Sequence, residues 1–222
     1  MFLNSYRRAF DVLKQKPLAL WGISLLDVLI LAVASPLLGA IPILVLAAQY
    51  LIGCGMTRVY LDGLQAKEVR VEQLFGCFNK DFWRILGGMG WRDLWLLIWG
   101  LIPIAGPIIV IVKSYSYRFV PYILVTRPEV GVMEALDLSK EETMGLKMEM
   151  FLADLCFVGG VALALLILAI FGLIPILGIP FRLAFLLLVL AWLVFGTVFA
   201  GLYRAYFYEN RIPTAPYEMP ME

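Results

Sequence analysis

The sequence predicts an all-α, polytopic membrane protein: a helical bundle with six transmembrane helices arranged as three helical hairpins. Hydrophobic residues make up 62% of the 222 residues, charged residues make up 16%, and the mean hydropathy is +0.89. A soluble domain of this size has too little interior to bury so much apolar surface, so soluble enzyme folds are excluded as the default. Long uncharged segments recur in pairs, and a short proline- and glycine-rich turn joins each pair.

The first hairpin shows the pattern. From Leu18 to Ser35 the only charge is Asp27, and residues 41–57 carry none, so each stretch can cross roughly 30 Å of hydrocarbon as a helix. The prolines and glycine of residues 35–42 predict a tight apolar turn between them. The remaining predicted spans are 94–112, broken by a turn at 102–107; 155–180, ending in a turn at 173–180; and 183–203.

The start of the third span has two alternatives. A start near Ile85 places Arg92 and Asp93 inside the span. A start at Leu94 leaves too few residues before Pro103 to cross a bilayer. Whether this span is a full hairpin helix therefore stays open at this point.

An amphipathic stretch precedes each predicted hairpin. At the start of the chain, apolar residues recur at helical spacing opposite a charged face, and comparable stretches occur near 72–82 and 132–150. Such helices suit the membrane interface, and three copies of one unit imply a pseudo-three-fold repeat within a single membrane domain, 1–222. The repeats are predicted at about 1–63, 72–127 and 131–209, with a short cytoplasmic tail at 210–222.

The distribution of positive charge predicts the orientation. None of the 18 lysines and arginines lies in the three turns, and nearly all of them lie in the termini and linkers. Arg182, just past the third turn, is an exception. The positive-inside rule then places both termini and both long linkers in the cytoplasm. Because Asp27 interrupts the first apolar run, we do not expect that run to be a cleaved signal peptide.

Charged residues inside or beside the predicted spans form the candidate polar site. An unpaired carboxylate near the middle of a span is costly, so Asp27 must pair, become protonated or face a water-filled interior. It belongs either to an ion or proton path or, as the simpler interpretation, to a buried pair with an arginine from another repeat. The candidate intramembrane polar site comprises Asp27, Arg92, Asp93 and Asp154.

Three arginines end predicted spans beside tyrosines: Arg58, Arg118 and Arg204. Anchoring at the interface explains these pairs, because arginine snorkels and tyrosine prefers the headgroup level. The alternative is that they contact anionic lipid headgroups. If the repeats are pseudo-symmetric, the three arginines would converge on one cytoplasmic ring.

No catalytic, cofactor-binding or metal-binding residues are assigned. The chain has no histidine, no paired-cysteine motif and a formal net charge of +1, which argues against a nucleic-acid-binding surface. One face of the third amphipathic stretch carries Glu134, Asp137 and Glu141, for which a solvated face is favoured over a divalent-cation site. The stripe of Trp91, Trp95 and Trp99 predicts a packing or lipid-facing ridge.

Several short motifs carry a family resemblance. They are Leu74-Phe75-Gly76-Cys77-Phe78, the Ile102-Pro103 turn followed by Lys113 to Tyr117, Pro121 to Leu124, Glu134-Ala135-Leu136, Met144 to Lys147 and Phe207-Tyr208-Glu209. In their order and spacing, over about residues 50–210, the chain resembles a bacterial integral-membrane family of unknown function (domain of unknown function nine-seven-five). That family is similar in layout to the membrane domain of some glycerophosphodiester phosphodiesterases. Leu146 stands where members often have histidine, and Arg127-Pro128 replaces a usual Asn-Pro.

The resemblance implies location and architecture and supplies no catalytic residues. We therefore expect a non-enzymatic bacterial inner-membrane protein that is an accessory or scaffold in an envelope process, with the charged, methionine-rich linker 129–150 as its docking surface. The alternative is a small transporter or lipid-handling protein using a polar interior around Asp27, and a third class is an intramembrane enzyme. The expected partners are the bilayer, anionic lipids, and a membrane protein or a second copy of this chain.

Overall fold

The computed structural model of the protein describes residues 2–15, 17–38, 41–78, 81–175 and 178–211, and all regular structure in these ranges is helical. The helices are α1 Phe2–Gln15, α2 Pro17–Leu38, α3 Pro42–Leu64, α4 Glu72–Phe75, α5 Phe82–Gly100, α6 Gly106–Ser116, α7 Val120–Thr126, α8 Val132–Glu142, α9 Lys147–Asp154, α10 Gly160–Gly172, α11 Ile179–Ala191 and α12 Thr197–Glu209. A 3₁₀ turn follows α4 at Gly76–Phe78. π-helical segments join α9 to α10 at Leu155–Gly159 and α11 to α12 at Trp192–Gly196.

Three helical stretches are long and apolar enough to cross a membrane: Pro42–Leu64, Gly106–Thr126 and Lys147–Gly172. A fourth is counted if α1 and α2, which are bent by 99° relative to each other, form one broken span. Several long apolar helices therefore indicate a multi-pass membrane protein, as predicted. The structure supports three or four spans by length and composition in the described ranges, and the six-span arrangement and the threefold repeat stay predictions.

Two helices that would complete six spans differ from the others in charge or length. Helix α5 is 19 residues long and carries Arg84, Arg92 and Asp93, so it is too polar to qualify by composition. The helix starts at Phe82, close to the earlier of the two predicted starts, and includes Arg92 and Asp93, while its crossing of the membrane stays a prediction. Helix α11 is apolar along its 13 residues, but it is short.

At each predicted turn, the helix before the turn packs against the helix after it: α2 against α3, α5 against α6 and α10 against α11. The middle turn, 101–105, is fully described, whereas residues 39–40 and 176–177 of the other two lie outside the described residues. Arg182, the cation nearest a turn, donates from Nε to the carbonyl of Gly172 at 2.7 Å. This bond ties α11 to the end of α10, where the last carbonyls of a helix lack partners.

Only the first amphipathic stretch is one continuous helix, α1. The second divides into α4, the 3₁₀ turn and the start of α5, so Leu74, Phe78 and Phe82 do not share a helical stripe. Helix α4 packs closely on α3: a Cβ added at Gly55 would lie only 2.2 Å from the Leu74 carbonyl oxygen. The third divides into α8 and α9 at Gly145, whose φ of 80° suits glycine and ends a helix. The predicted tail falls almost entirely outside the described residues, which end at Arg211.

The buried core lies at the end of the hairpins remote from the turns, which we call the base. It is built from the second half of α3, the start of α5, and α7, α8, α9 and α12. Its largest fully buried side chains are Tyr203, Tyr208, Phe119 and Phe207. The turns and the helix ends beside them instead carry exposed apolar residues such as Ile41, Leu101, Ile104, Leu173 and Ile179. Packed protein therefore forms the base, whereas the exposed apolar side chains along the arms of the hairpins are left for lipid to cover.

Candidate functional site

The carboxylate of Asp154, at the end of α9, is the centre of a charged cluster in the base. Arg118 pairs with Oδ2, and Arg204 Nη2 lies 3.3 Å from Oδ1. The hydroxyl of Tyr203 donates to Oδ1 at 2.5 Å, and that of Tyr115 donates to Oδ2 at 3.1 Å. These five residues, the Asp154 cluster, satisfy both oxygens of a buried carboxylate and hold two positive charges against one negative charge.

Two segments, each with a tyrosine close to an arginine in the sequence, supply the partners of Asp154. Tyr115 and Arg118 lie at the end of α6 and just beyond it, and the Arg118 guanidinium carbon is 4.7 Å from the centre of the Tyr115 ring. Tyr203 and Arg204 are consecutive on α12, with the Arg204 guanidinium 5.8 Å from the Tyr203 ring. Cation–π contacts of this kind orient a guanidinium as well as stabilise it. The cluster thus fastens α6, α9 and α12 together.

Arg58 does not join the other two arginines. It is exposed on α3 and lines a separate shallow depression with Glu72 and Asp81. The residue of α3 that faces α12 is Tyr60, whose ring fills the notch left by Gly201: a Cβ there would lie 2.1 Å from the ring. The expected convergence of three arginines is therefore found for two of them only.

Arg92 and Asp93 form a second, separate pair. Arg92 Nη2 lies 2.7 Å from Asp93 Oδ1, and the Tyr50 hydroxyl donates to Asp93 Oδ2 at 2.5 Å. Because Arg92 and Asp93 are consecutive on α5, their opposite charges neutralise each other locally. The tyrosine then ties α5 to α3.

Asp27 lies apart from both clusters, on α2. Its Oδ1 atom is buried and has no hydrogen-bond partner, and the carboxylate forms no ion pair with any residue that the structure describes. It is within electrostatic range of the Tyr60 hydroxyl, which is 3.2 Å from Ser24 Oγ one turn earlier on α2. The predicted pair with an arginine is therefore not formed, and the four residues of the candidate polar site occupy three places rather than one.

Sequence reasoning missed Arg84, which closes the end of α7. Its guanidinium donates to the carbonyl of Leu124 at 2.6 Å and to those of Arg127 and Val130 at 3.3 Å, and it pairs with Asp81 at 3.0 Å. A single side chain thereby satisfies three carbonyls around a helix C-terminus, where a cation is also favoured by the helix dipole. The only sequence signal was the Asp81–Arg84 spacing, which gives no hint of the distant carbonyls.

The acidic face of α8 is used locally. Glu134 Oε2 accepts from the backbone N–H of Gly131 at 3.3 Å, which caps the helix start, and Asp137 pairs with Lys140 at 2.7 Å. Arg127, at the departure from the family pattern, pairs with Glu142 at 2.7 Å. Within the described ranges, no group of three or more cysteine, aspartate or glutamate side chains is arranged to hold a metal ion.

The tryptophan stripe is a packed ridge on α5, as predicted. Trp91 and Trp95 meet edge to face with ring centres 6.1 Å apart, and Trp95 stacks on Trp99 at 6.5 Å. Trp91 and Trp95 also pack against the buried core. The Nζ atom of Lys113 on α6 lies 5.1 Å above the Trp99 ring, so the ridge also contacts the other arm of its hairpin.

Comparison with known proteins identifies the family. No curated protein and no solved structure matches the chain. The family model described as "Protein of unknown function (DUF975)" matches residues 87–212, more than half of the 222 residues. The matched range begins within α5 and contains the whole Asp154 cluster. It confirms the resemblance for the motifs from Ile102 onward, whereas the Leu74–Phe78 motif precedes it. The chain therefore belongs to DUF975, a family of unknown function.

Proposed function

We propose that this DUF975 protein is a non-enzymatic, multi-pass protein of the bacterial inner membrane that serves as an accessory or scaffold in an envelope process. The observation that carries the proposal is the division of the molecule into two ends. The hairpin tips expose apolar side chains, whereas the base combines a packed core with a charged, methionine-bearing surface on α8 and α9. Such a molecule is held in the bilayer by its apolar helices and offers a packed surface at the base.

The charged side chains of the base serve to hold helices together. Asp154 is saturated by two arginines and two tyrosines, and Asp93 is held by Arg92 and Tyr50. Glu142 pairs with Arg127 through Oε1, while its buried Oε2 has no hydrogen-bond partner among the described residues. A catalytic acid or base must instead be able to reach the atom whose proton it transfers. These pairs therefore favour a structural role for the base over an intramembrane active site.

The proposal includes six spans in three hairpins, with both termini in the cytoplasm. It is supported by the packing of a helix pair at each turn and by the lack of lysine and arginine in the turns. Helices α5 and α11 would then cross beside α6 and α10. The test uses chains whose native cysteines are replaced by alanine and an impermeant maleimide applied to spheroplasts. Ala105→Cys should be labelled at once, and Glu141→Cys only after lysis; the reverse order would refute the topology.

The surface proposed to receive a partner is the methionine face of the linker 129–150. Met133, Met144 and Met148 are all exposed there, and Asp137 and Glu141 lie among them on α8. Methionine side chains are flexible and polarizable, so exposed methionines adapt to the apolar surface of a partner protein. Three exposed methionines and two exposed carboxylates, on α8, on α9 and in the turn between them, favour a protein partner with a mixed apolar and basic surface.

Site-specific photo-crosslinking in the source cells tests this assignment. A photoreactive amino acid at Met144 should give one defined adduct, and the same amino acid at Phe75, an exposed apolar residue of the other linker, should not. Mass spectrometry then identifies the partner, which should also be recovered in the reverse experiment. Equal adducts at both positions, or none at Met144, would contradict a docking surface on α8 and α9.

The second candidate function is transport or lipid handling, and one observation favours it. The buried, unpartnered Oδ1 atom of Asp27 is what a proton- or ion-binding carboxylate in a span requires. In vesicles carrying a proton-sensitive dye, a transporter should keep its flux in Asp27→Glu and lose it in Asp27→Leu. Equal flux through both variants would remove this candidate.

A further inference from the structure

An apolar groove of about 500 Å³ lies between α1 and the last hairpin. Phe10 and Leu13 of α1 form one wall, and Phe157, Ala191, Trp192 and Phe199 contribute to the other. Almost no polar surface lines it. An elongated hydrocarbon is the chemistry that such a lining accepts, because it offers apolar contact on both sides and no hydrogen-bond partner.

The shape of the groove is set by the two π-helical segments. Phe157 comes from the first and Trp192 from the second, and their rings lie 5.0 Å apart at 30°. Gly196 lies beneath Trp192, since a Cβ there would approach the indole to 2.8 Å. A π turn inserts an extra residue into a helix and is frequent at functional sites. The two segments meet at this ring pair and together form part of the wall that faces α1.

One edge of the groove is basic. The Nζ atom of Lys14 lies 4.5 Å above the ring of Phe10, and both side chains are exposed. Asp11 is exposed one turn earlier on α1 and Arg7 two turns earlier, so the helix surface next to the groove has a net positive charge. An apolar slot that ends beside an ammonium group is complementary to an amphiphile with a negative head.

The setting of α1 agrees with that chemistry. It is an amphipathic helix bent by 99° from α2, so it lies across the direction of the spans, as a helix at the membrane interface does. Helices α10 and α11 continue from the groove toward the third turn, whereas α12 packs against α1. The groove therefore begins at the level of lipid headgroups and runs toward the level of acyl chains.

We propose that this groove is a specific site for one anionic phospholipid, with an acyl chain between Phe10 and Trp192 and the phosphate beside Lys14. The site goes beyond the scaffold function and does not rest on it. It is also distinct from the headgroup contacts expected at Arg118 and Arg204, because both of those arginines are engaged by Asp154. A helix from a second copy of the chain is the competing occupant.

Native mass spectrometry of the full chain, exchanged into detergent with equal amounts of phosphatidylglycerol and phosphatidylcholine, tests the site. The wild-type protein should retain one phosphatidylglycerol in preference. Lys14→Gln should weaken that retention about fivefold, which is the contribution of one lysine near an anionic lipid surface, and Lys14→Arg should preserve it. The matched control is Lys113→Gln, which removes a lysine from above another aromatic ring and should change nothing.

Filling the groove gives a second, independent test. Ala191→Trp places a large ring between the walls and should abolish retention of the lipid, whereas Ala32→Trp, at an exposed position on α2, should not. Equal thermal unfolding of the two variants shows that Ala191→Trp is folded. Equal retention of the two lipids by the wild-type chain, unchanged retention in Ala191→Trp, or a lipid-free dimer that Ala191→Trp dissociates would overturn the proposal. The crosslink at Met144 is unaffected by any of these outcomes.

Discussion

Neutralising Asp154 provides the sharpest test of the packed base. The substitution Asp154→Asn keeps the size of the side chain and one carbonyl oxygen, so Tyr203 or Tyr115 can still donate to it. It removes the only negative charge from a cluster that holds Arg118 and Arg204. Two guanidinium groups then face each other without an anion inside the base.

The loss can be scaled from the burial of the three charges. The side chain of Asp154 is 13% exposed, that of Arg118 18% and that of Arg204 37%, so the cluster is partly shielded from water. Removing one partner of a fully buried pair costs about 3–5 kcal/mol. Because Arg204 is partly exposed, we expect Asp154→Asn to lower the free energy of unfolding by about 3 kcal/mol. For a chain of this size that corresponds to a fall in Tm of about 10 °C. Arg204→Gln should cost only about 1 kcal/mol, because Asp154 and Arg118 remain as a one-to-one pair.

Thermal unfolding of the purified protein in one detergent, followed by tryptophan fluorescence, measures these differences. The matched control is Asp137→Asn, which neutralises an aspartate that is 71% exposed and also paired with a cation, and should cost less than about 0.5 kcal/mol. Combining Asp154→Asn with Arg118→Gln should cost less than the two changes added together, since the unpaired guanidinium is removed as well. A Tm for Asp154→Asn equal to that of Asp137→Asn would refute the argument that the charge holds the base.

Three further predictions concern the base and its linkers. Arg84→Met should lower the free energy of unfolding by about 2 kcal/mol, because three carbonyls at the end of α7 lose a charged donor. Gly201→Ala should lower it by about 1–3 kcal/mol, since the added methyl group meets the Tyr60 ring. Burial raises the pKa of the Cys77 thiol to about 11 from 9.0. Maleimide reacts with the thiolate, so Cys77 should be labelled about a hundredfold faster at neutral pH in denatured than in folded protein, in a chain whose other cysteines are replaced by alanine.

The two stability predictions have matched control variants. Arg70→Met removes an exposed arginine that pairs with Glu68 and should leave the midpoint of unfolding unchanged. Gly53→Ala adds a methyl group with nothing within 4 Å and should be neutral or stabilising. Equal midpoints for Arg84→Met and Arg70→Met would contradict the role of Arg84 at the end of α7. Equal midpoints for Gly201→Ala and Gly53→Ala would contradict the close contact between Gly201 and Tyr60. Labelling of Cys77 at the same rate in folded and denatured protein would contradict its burial.

Features encoded within a few neighbouring residues were predictable from the sequence. The turn between α5 and α6 follows from Pro103 and Gly106, and the hairpin there was expected from the apolar runs on both sides. The first amphipathic helix was likewise visible, because its charged and apolar faces repeat with the period of a helix. The break between α8 and α9 had a local signal as well, namely Gly145, which the overall periodicity concealed.

Features that depend on distant packing were not predictable. Asp154 meets Arg118 across 36 positions and Arg204 across 50, and nothing near any of the three specifies the others. For the same reason one of the two interpretations of Asp27, a pair with an arginine, is not found among the described residues, and the sequence does not point to the role of Arg84. The π-helical segments have no compositional signature either, because an extra residue in a helical turn is set by the surfaces it must fit.

The contact between α1 and α12 has a consequence for how the protein is made. Tyr6 on the first helix lies 5.3 Å from Tyr203 on the last, ring centre to ring centre, and it also donates a hydrogen bond to the carbonyl of Ala153. The first helix therefore gains its main packing partners only when the final segment has left the ribosome. Until then the base lacks the contacts between α1 and α12, so its packing is completed only by the end of the described chain.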